Sequence, residues 1–403
     1  MSELRILITG GGTGGHVSPA LAVVQTLQKR ADAASPSLAL PRLIFRYVGS
    51  AEGVEATLAR EAGLEFVGVA SGKLRRSSRG PLGLLTGANL RDAFRIPVGI
   101  LQAMGAVRAF RPQVVLATGG YVSVPPVIAA ARYGVPILTH EQTVTVGLAN
   151  KIAGRFATRI ALTFEGAMDD LPTALRAKAF VTGNPVRAAI FAGDGVSALH
   201  RFFPDAAPGA DRGLPCVYVT GGAQGSRILN RAVLAALPDL LVGCRIIHQC
   251  GQQPEGMEQD FDALSDAARA LPQALRHRYF VTRFVRADEI GDVYALADLL
   301  IARSGAGTVT EACALGKPAL FVPLVPTGGD EQTRNAQRSV DAGGAVILPQ
   351  SRCDAAHLLA ETQALLGDPA RRRAMGEAAR TLARPHAADA LADALLALAA
   401  AAS

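Results

Sequence analysis

The run Ile6-Leu7-Ile8-Thr9 passes into Gly10-Gly11-Gly12-Thr13-Gly14-Gly15-His16, so a β-rich segment ends in a turn with five glycines among six residues. The same device returns at Cys216-Val217-Tyr218-Val219-Thr220, followed by Gly221-Gly222-Ala223-Gln224-Gly225-Ser226. Glycines let backbone N–H groups approach a ligand without Cβ interference, and a helix N-terminus adds partial positive charge. That combination suits a phosphate or a sugar hydroxyl. Its recurrence constrains the chain to two Rossmann-type halves in tandem.

Strand-like runs and helical segments alternate on both sides of the second turn. Runs at 4–9, 43–48, 113–118, 135–139 and 158–162 precede it, and runs at 244–249, 278–281, 298–302, 318–322 and 345–348 follow. Such alternation argues α/β domains with parallel sheets and helices on both faces. The regularity lapses after Gly183-Asn184-Pro185-Val186-Arg187, and 203–213 is rich in Pro and Gly, which places the junction at 184–195. The expected organisation is an N-terminal domain over 1–187, a C-terminal domain over 188–385 and an Ala/Leu-rich helix over 386–403. That helix packs on the second domain or crosses back to the first. Ligands of open α/β sheets sit beyond the carboxyl ends of the strands, so facing domains would form a cleft between the two glycine loops.

No run of 18 residues is continuously apolar, and the first strand begins almost at residue 1, so neither a membrane span nor a targeting segment is expected. Five cysteines (Cys216, Cys244, Cys250, Cys313, Cys353) form no Cys-x-x-Cys pair and read as buried thiols. The formal net charge is +7, and Lys73, Arg75, Arg76 and Arg79 fall together, followed by Leu82, Leu84, Leu85, Phe94, Ile96 and Val98. This is either a surface for anionic lipid headgroups or a solvated loop before a core helix. Aromatic stacking groups are scarce, so a nucleic-acid partner is not expected.

Gly10-x-Gly12-x-x-Gly15 also fits the dinucleotide fingerprint. That fingerprint needs an acidic residue at the tip of the next strand, and here Glu52 lies beyond Gly49-Ser50. A nicotinamide or flavin cofactor is therefore disfavoured, while a purely structural glycine turn stays open. His16, at the helix start, is suited to moving a proton. In the second half Arg303-Ser304-Gly305-Ala306-Gly307-Thr308 leads to Glu311, which can bind a ribose diol or close a Thr-x-x-Glu capping box with Thr308. The polar cluster from Asp330 to Asn335 suits sugar hydroxyls or a helix cap. Asp260-Phe261-Asp262, the only Asp-x-Asp, reads as the solvated face of a helix.

GGGTGGHVSPALAV from Gly10, GGYVSVPPVIAA from Gly119, THEQTVTVGLANKIA from Thr139, GNPVR from Gly183, VTGGAQGSRILN from Val219, RSGAGTVTEA from Arg303 and DEQTRNA from Asp330 occur in this order. Together they resemble the MurG family of peptidoglycan glycosyltransferases, from about residue 4 to the end. The resemblance implies the GT-B architecture of two Rossmann-like domains and an inverting transfer needing no metal or other cofactor. The donor it implies is UDP-N-acetylglucosamine. The acceptor is the undecaprenyl-diphosphate-linked muramyl pentapeptide, met by a peripheral protein at the cytoplasmic face of the inner membrane. The N-terminal domain would hold the acceptor and the C-terminal domain the donor.

Carried over by residue, Thr13, Gly14, Gly15 and His16 face the acceptor diphosphate and reacting sugar. Gly119, Gly120 and Tyr121 form a second N-terminal glycine loop, and His140, Glu141, Thr143 and Asn150 the next cleft motif. Arg187 contacts the donor, and Ala223, Gln224 and Gly225 lie beside the UDP phosphates. The backbone of Val285 meets the uracil. Ala306, Gly307 and Thr308 line the donor phosphates and sugar, Glu311 the ribose, and Gln332 with Asn335 the transferred sugar. His16 is the expected base, with His140–Glu141 as second candidate. Two positions depart from the family pattern: Thr143 stands where asparagine is usual, and Ala223 where serine is usual. The first weakens or moves one sugar contact, and the second loses a side-chain hydrogen bond to the α-phosphate, which Ser226 or backbone N–H groups could replace. A glycolipid transferase or a UDP-N-acetylglucosamine epimerase of the same fold is the alternative.

Overall fold

The computed structural model describes residues 3–33, 41–72, 87–205, 213–253, 259–325 and 330–402. The basic segment Lys73–Arg79 and Leu82, Leu84 and Leu85 lie outside the described residues. The chain divides into two compact units, Met1–Arg187 with Arg384–Ser403, and Ala188–Ala383.

The first unit holds β1 (Glu3–Thr9), β2 (Arg42–Gly49), β3 (Glu65–Gly68), β4 (Val114–Ala117), β5 (Ile137–Glu141), β6 (Arg159–Leu162) and β7 (Ala179–Val181). They form one sheet in the order β3-β2-β1-β4-β5-β6-β7, and every pairing is parallel. β4 and β5 are buried along their whole length, as expected of strands covered on both faces. The edge strands β3 and β7 are only half-buried or exposed and carry little apolar signal.

The second unit holds β8 (Cys216–Thr220), β9 (Arg245–Gln249), β10 (Tyr279–Thr282), β11 (Leu299–Ala302), β12 (Ala319–Phe321) and β13 (Ala345–Ile347). Their order is β10-β9-β8-β11-β12-β13, again all parallel. In each sheet the order reverses beside the first strand, between β1 and β4 and between β8 and β11. Connections leave such a pair in opposite directions and open a crevice at the carboxyl ends. The loops Gly10–Gly15 and Gly119–Tyr121 leave one such point, and Gly221–Ser226 and Arg303–Gly305 the other.

The helix Ala387–Ala401 belongs to the first unit, packed against the helix Gly14–Ala33. Leu391, Leu395 and Ala399 share a core with Ile6, Ile8, Val23 and Leu27. Arg30 ties the two helices through Asp389 at 2.6 Å and Asp393 at 2.5 Å. All five cysteines are free and buried, and burial pushes the Cys250, Cys313 and Cys353 thiols up to about 11. Leu395→Ala removes a fully buried side chain and is expected to cost about 2–5 kcal/mol. Urea unfolding should show the loss, and faster amide exchange should fall on β1 and the helix Gly14–Ala33 rather than on β8–β13.

Candidate active site

The first glycine turn has two parts with different reasons for glycine. A Cβ on Gly10 would stand 2.0 Å from Thr118 Oγ1, and one on Gly11 would stand 2.4 Å from the Glu55 carboxyl carbon. Gly14 faces open space, with nothing within 4 Å. The front of the turn is therefore glycine because the chain packs there, and the helix start is glycine toward the outside. The packing partner is Glu55, fully buried, whose carboxylate accepts from Gly12 N at 3.1 Å and Ser50 N at 3.0 Å. Tyr47 donates its hydroxyl to Gly10 O at 2.7 Å, and burial together with the Glu55 charge raises its pKa so that it stays protonated.

The second loop meets the first through Gly11 N donating to Gly119 O at 3.2 Å. Gly119 and Gly120 have φ of +94° and +79°, and a Cβ on Gly120 would lie 2.0 Å from Gly11 O, so both positions exclude side chains. Tyr121 packs beneath Gly12, and the Asn150 amide packs against Gly119. His16 is half-buried, its Nδ1 3.2 Å from Thr118 O and 2.9 Å from Gln142 Oε1.

His140 and Glu141 are both committed to the protein. His140 is fully buried, with Nε2 3.0 Å from Gly183 O and Nδ1 3.0 Å from Gln142 Nε2. Burial is the main cause that lowers its pKa to about 4. Glu141 Oε1 accepts from Thr143 N and Thr143 Oγ1, at 3.0 and 2.8 Å. Its Oε2 accepts from Gly147 N and Asn150 Nδ2, both at 2.9 Å. Four donors surround that carboxylate and fix the loop 143–147. The Thr143 hydroxyl also lies 2.6 Å from Thr145 O, so its single proton is shared between two internal acceptors.

In the second unit Gln249 organises the loops. Its Nε2 donates to Gly222 O at 3.1 Å and Thr220 Oγ1 at 3.2 Å, while its Oε1 accepts from Val285 N at 3.0 Å and Tyr218 OH at 3.3 Å. The Val285 N–H is thus already engaged. Ala223 and Gln224 are exposed at the tip of the loop, where Ala223 O accepts from Gln252 N at 3.0 Å. Ser226 caps the helix Arg227–Gly243 by accepting from Leu229 N at 3.4 Å. Gly225, with φ of +73°, would place a Cβ 1.9 Å from Cys250 O.

The helix Ala306–Leu315 starts after Gly305 with no side-chain cap, which corrects the capping-box reading of Thr308 and Glu311. Both residues lie inside the helix, and the N–H groups of Ala306, Gly307 and Thr308 have no partner within it. Glu311 Oε2 instead accepts from Tyr294 OH at 2.8 Å. Gly305 and Gly307 face open space, as Gly14 does. Ser304 donates to Gln332 O at 2.8 Å, Asn335 Nδ2 to Ser304 O at 3.2 Å, and Leu324 N to Gln332 Oε1 at 3.0 Å. Asn335 is fully buried and its Oδ1 has no hydrogen-bond partner among the described residues. Arg303 is nearly buried and donates to Val322 O and Pro323 O at 2.8 and 3.0 Å.

The Asp-x-Asp segment also needs correction. Asp260 is buried and accepts from Asn230 Nδ2 at 2.8 Å, whereas Asp262 is exposed and lies 3.3 Å from Arg283. Only the second matches a solvated face. Asn230 also holds His248, which is fully buried with its pKa lowered by burial to about 3.

In the first unit the structure therefore gathers Thr13–His16, Gly119–Tyr121, Gln142, Thr143 and Asn150 at the exits of β1, β4 and β5. In the second it gathers Ala223–Gly225 and Val285 around Gln249, and joins Gln332 and Asn335 to Ser304. Arg187, half-buried, is the last residue before the second unit. Glu55, Gln142, Gln249, Ser304 and Tyr294 were not singled out from the sequence. A buried amide or acid next to a glycine turn was the available signal, and it looks like any other loop residue in one dimension.

Residues 6–162 match the glycosyltransferase family 28 N-terminal domain and residues 216–391 the glycosyltransferase family 28 C-terminal domain. The UDP-N-acetylglucosamine--N-acetylmuramyl-(pentapeptide) pyrophosphoryl-undecaprenol N-acetylglucosamine transferase of Solidesulfovibrio magneticus is 37% identical, over 98% of each chain. The protein of the same name from Desulforudis audaxviator is 34% identical over 97% of each. The crystal structure of Acinetobacter baumannii MurG aligns with a TM-score of 0.68 at 27% identity, covering 98% of this chain and 99% of that one. A UDP-GlcNAc 2-epimerase from Neisseria meningitidis bound to UDP-GlcNAc shares the fold, with a TM-score of 0.62 at 13% identity, covering 98% and 100%.

The two buried histidines set a pH dependence of stability. Each takes up a proton near 6.5 in the unfolded chain but only near 4 (His140) or 3 (His248) in the folded one. Between these values the unfolded chain binds more protons, so stability falls as pH drops below about 6.5. Thermal unfolding is expected to show a steady fall in Tm from pH 7 to pH 5, with at most about 1.4 kcal/mol lost per pH unit per histidine.

Proposed function

The chain belongs to glycosyltransferase family 28, within its MurG branch, and from that membership we infer its reaction. It moves N-acetylglucosamine from UDP-N-acetylglucosamine to the C4 hydroxyl of the undecaprenyl-diphosphate-linked muramyl pentapeptide, forming the β-1,4 link of lipid II in peptidoglycan synthesis. The observation that carries the site assignment is the contrast among glycines. Gly10, Gly11, Gly120 and Gly225 leave no room for a Cβ, whereas Gly14, Gly305 and Gly307 face open space at the two helix starts that follow β1 and β11, where backbone N–H groups can be approached.

The acceptor hydroxyl oxygen attacks the anomeric carbon as the bond to the UDP oxygen breaks, and the electron pair leaves with UDP. The configuration inverts from α to β. His16 takes the hydroxyl proton at Nε2, the ring nitrogen with no hydrogen-bond partner among the described residues. The departing diphosphate is offset by N–H groups of the Gly221–Gly225 loop, by the uncapped helix start at Ala306–Thr308 and by Arg187. Glu311, held by Tyr294, takes the ribose diol, and Gln332, held by Ser304 and Leu324, takes the transferred sugar. The uracil meets Val285 at its carbonyl or replaces Gln249 at its N–H. Glu141 serves as the fixed point of the loop that carries Thr143 and Asn150 and not as a base. Asn335, being buried, acts on the sugar through Ser304.

Membrane contact is supported by the helix Gly87–Phe110. Phe94, Val98 and Leu101 are 71, 49 and 69% exposed and fall at i, i+4 and i+7 on one face. Ile96, on the other side, is half-buried. No helix among the described residues is long and apolar enough to cross a membrane. A peripheral site on the anionic inner leaflet, with the Lys73–Arg79 segment adding charge, accounts for the stripe.

Incubation in EDTA with UDP-N-acetylglucosamine and a short-chain lipid I analogue is expected to yield UDP and disaccharide only when both substrates are present. His16→Ala should lower kcat by about 100-fold or more with little change in acceptor KM. Near-normal kcat would remove His16 from the base role. Leu101→Asp combined with Phe94→Asp should weaken sedimentation with anionic vesicles while leaving turnover of a soluble acceptor intact. Equal binding to neutral vesicles would count against the surface.

A further inference from the structure

His16, Gln142 and His140 form one hydrogen-bonded row. Gln142 Nε2 lies 2.7 Å from Thr118 O, 3.2 Å from His140 O and 3.0 Å from His140 Nδ1. Turning the amide over would press Gln142 Oε1 against two carbonyl oxygens, so the backbone fixes its orientation. Oε1 must then face His16 Nδ1, at 2.9 Å, and Thr118 O lies 3.2 Å from the same nitrogen. A ring nitrogen between two acceptors carries the proton. At the far end His140 Nδ1 accepts from Gln142, so His140 keeps its own proton on Nε2 and donates to Gly183 O at 3.0 Å. Gln142 and His140 are 1% and 0% exposed, so water does not compete along the row.

We propose that Gln142 is a positioning residue for the transfer: it holds neutral His16 with the proton on Nδ1, which leaves the Nε2 lone pair for the acceptor hydroxyl. The role rests on the reading of His16 as base. Gly120 supports it from the other side, since a Cβ there would lie 3.1 Å from His16 Cδ2, the ring carbon next to Nε2. The other titratable groups on the elements packed around His16 are Glu55, Tyr47 and Tyr121 by the glycine loops and His140 and Glu141 on β5. None of them supplies the acceptor that Gln142 supplies at Nδ1.

Long-range proton–nitrogen NMR of the full chain, labelled in its histidine nitrogens and recorded in alkaline buffer, reads the tautomer directly. The expected His16 pattern is protonated Nδ1 with unprotonated Nε2. Gln142→Met keeps the bulk but removes the nearer of the two Nδ1 acceptors, leaving only Thr118 O at 3.2 Å; it should admit the second tautomer in part and lower kcat by about 10- to 100-fold with donor KM little changed. Gln142→Glu, held as the neutral acid so that its hydroxyl donates to Thr118 O as the amide does, keeps an acceptor towards His16 and should restore the Nδ1-protonated pattern together with most of kcat. Protonated Nε2 in the unaltered protein, or an unchanged tautomer and kcat in Gln142→Met, overturns the proposal. The spectrum of the unaltered protein decides the tautomer even if a variant fails to fold. Normal turnover in His16→Ala beside the expected tautomer would instead overturn the base reading, and only through it the catalytic consequence of Gln142.

Discussion

Backbone polar groups at the ends of parallel strands must find partners without a side chain covering the surface where a ligand lands. That constraint governs both units. Each meets it with buried polar side chains behind the glycine loops: Glu55 for Gly12 and Ser50, Gln142 for Thr118, Gln249 for Gly222 and Val285. Because these groups work from beneath, they take up none of the outer face of either loop, where Thr13, Ala223 and Gln224 are exposed. Removing one leaves a buried N–H or carbonyl unpaired, at a cost of about 1–3 kcal/mol. The loop geometry is therefore only as fixed as the polar core under it.

The three histidines of the inner framework illustrate how one residue type takes opposite roles. His140 and His248 are enclosed, neutral and bonded at both nitrogens, so they act as rigid two-ended spacers. His16 is half-buried and bonded on one edge only. Position relative to the strand end decides this. His140 and His248 lie within β5 and β9, whereas His16 follows β1 across the turn, in the first turn of a helix.

Much of this organisation was legible in the sequence. The central strands announce themselves as continuous apolar runs, and the two glycine turns fix the tandem arrangement. The edge strands β3 and β7 were missed because they are short and half-buried, so pairing with a neighbour and not their own pattern makes them strands. Thr308 and Glu311 match a capping box in spacing, yet the helix starts earlier, at Gly305, because the strand exit sets where it begins. Asp260 looked solvated because its partner Asn230 sits thirty residues away on another helix. The candidate site positions were readable as motifs; the residues that hold their loops were not, because their partners are distant in sequence.

The return of the helix Ala387–Ala401 to the first unit bears on the order in which the molecule can be made. A ribosome releases the strands of the first sheet early, but Leu391, Leu395 and Ala399, which complete the core around Ile6, Ile8 and Leu27, emerge only after all of β8–β13. Until then that apolar surface has no cover. The second unit is in effect an insertion into the first, free to mature while its host waits. A chain halted before the final helix would contain nearly every residue of the site and still lack part of the core beneath it.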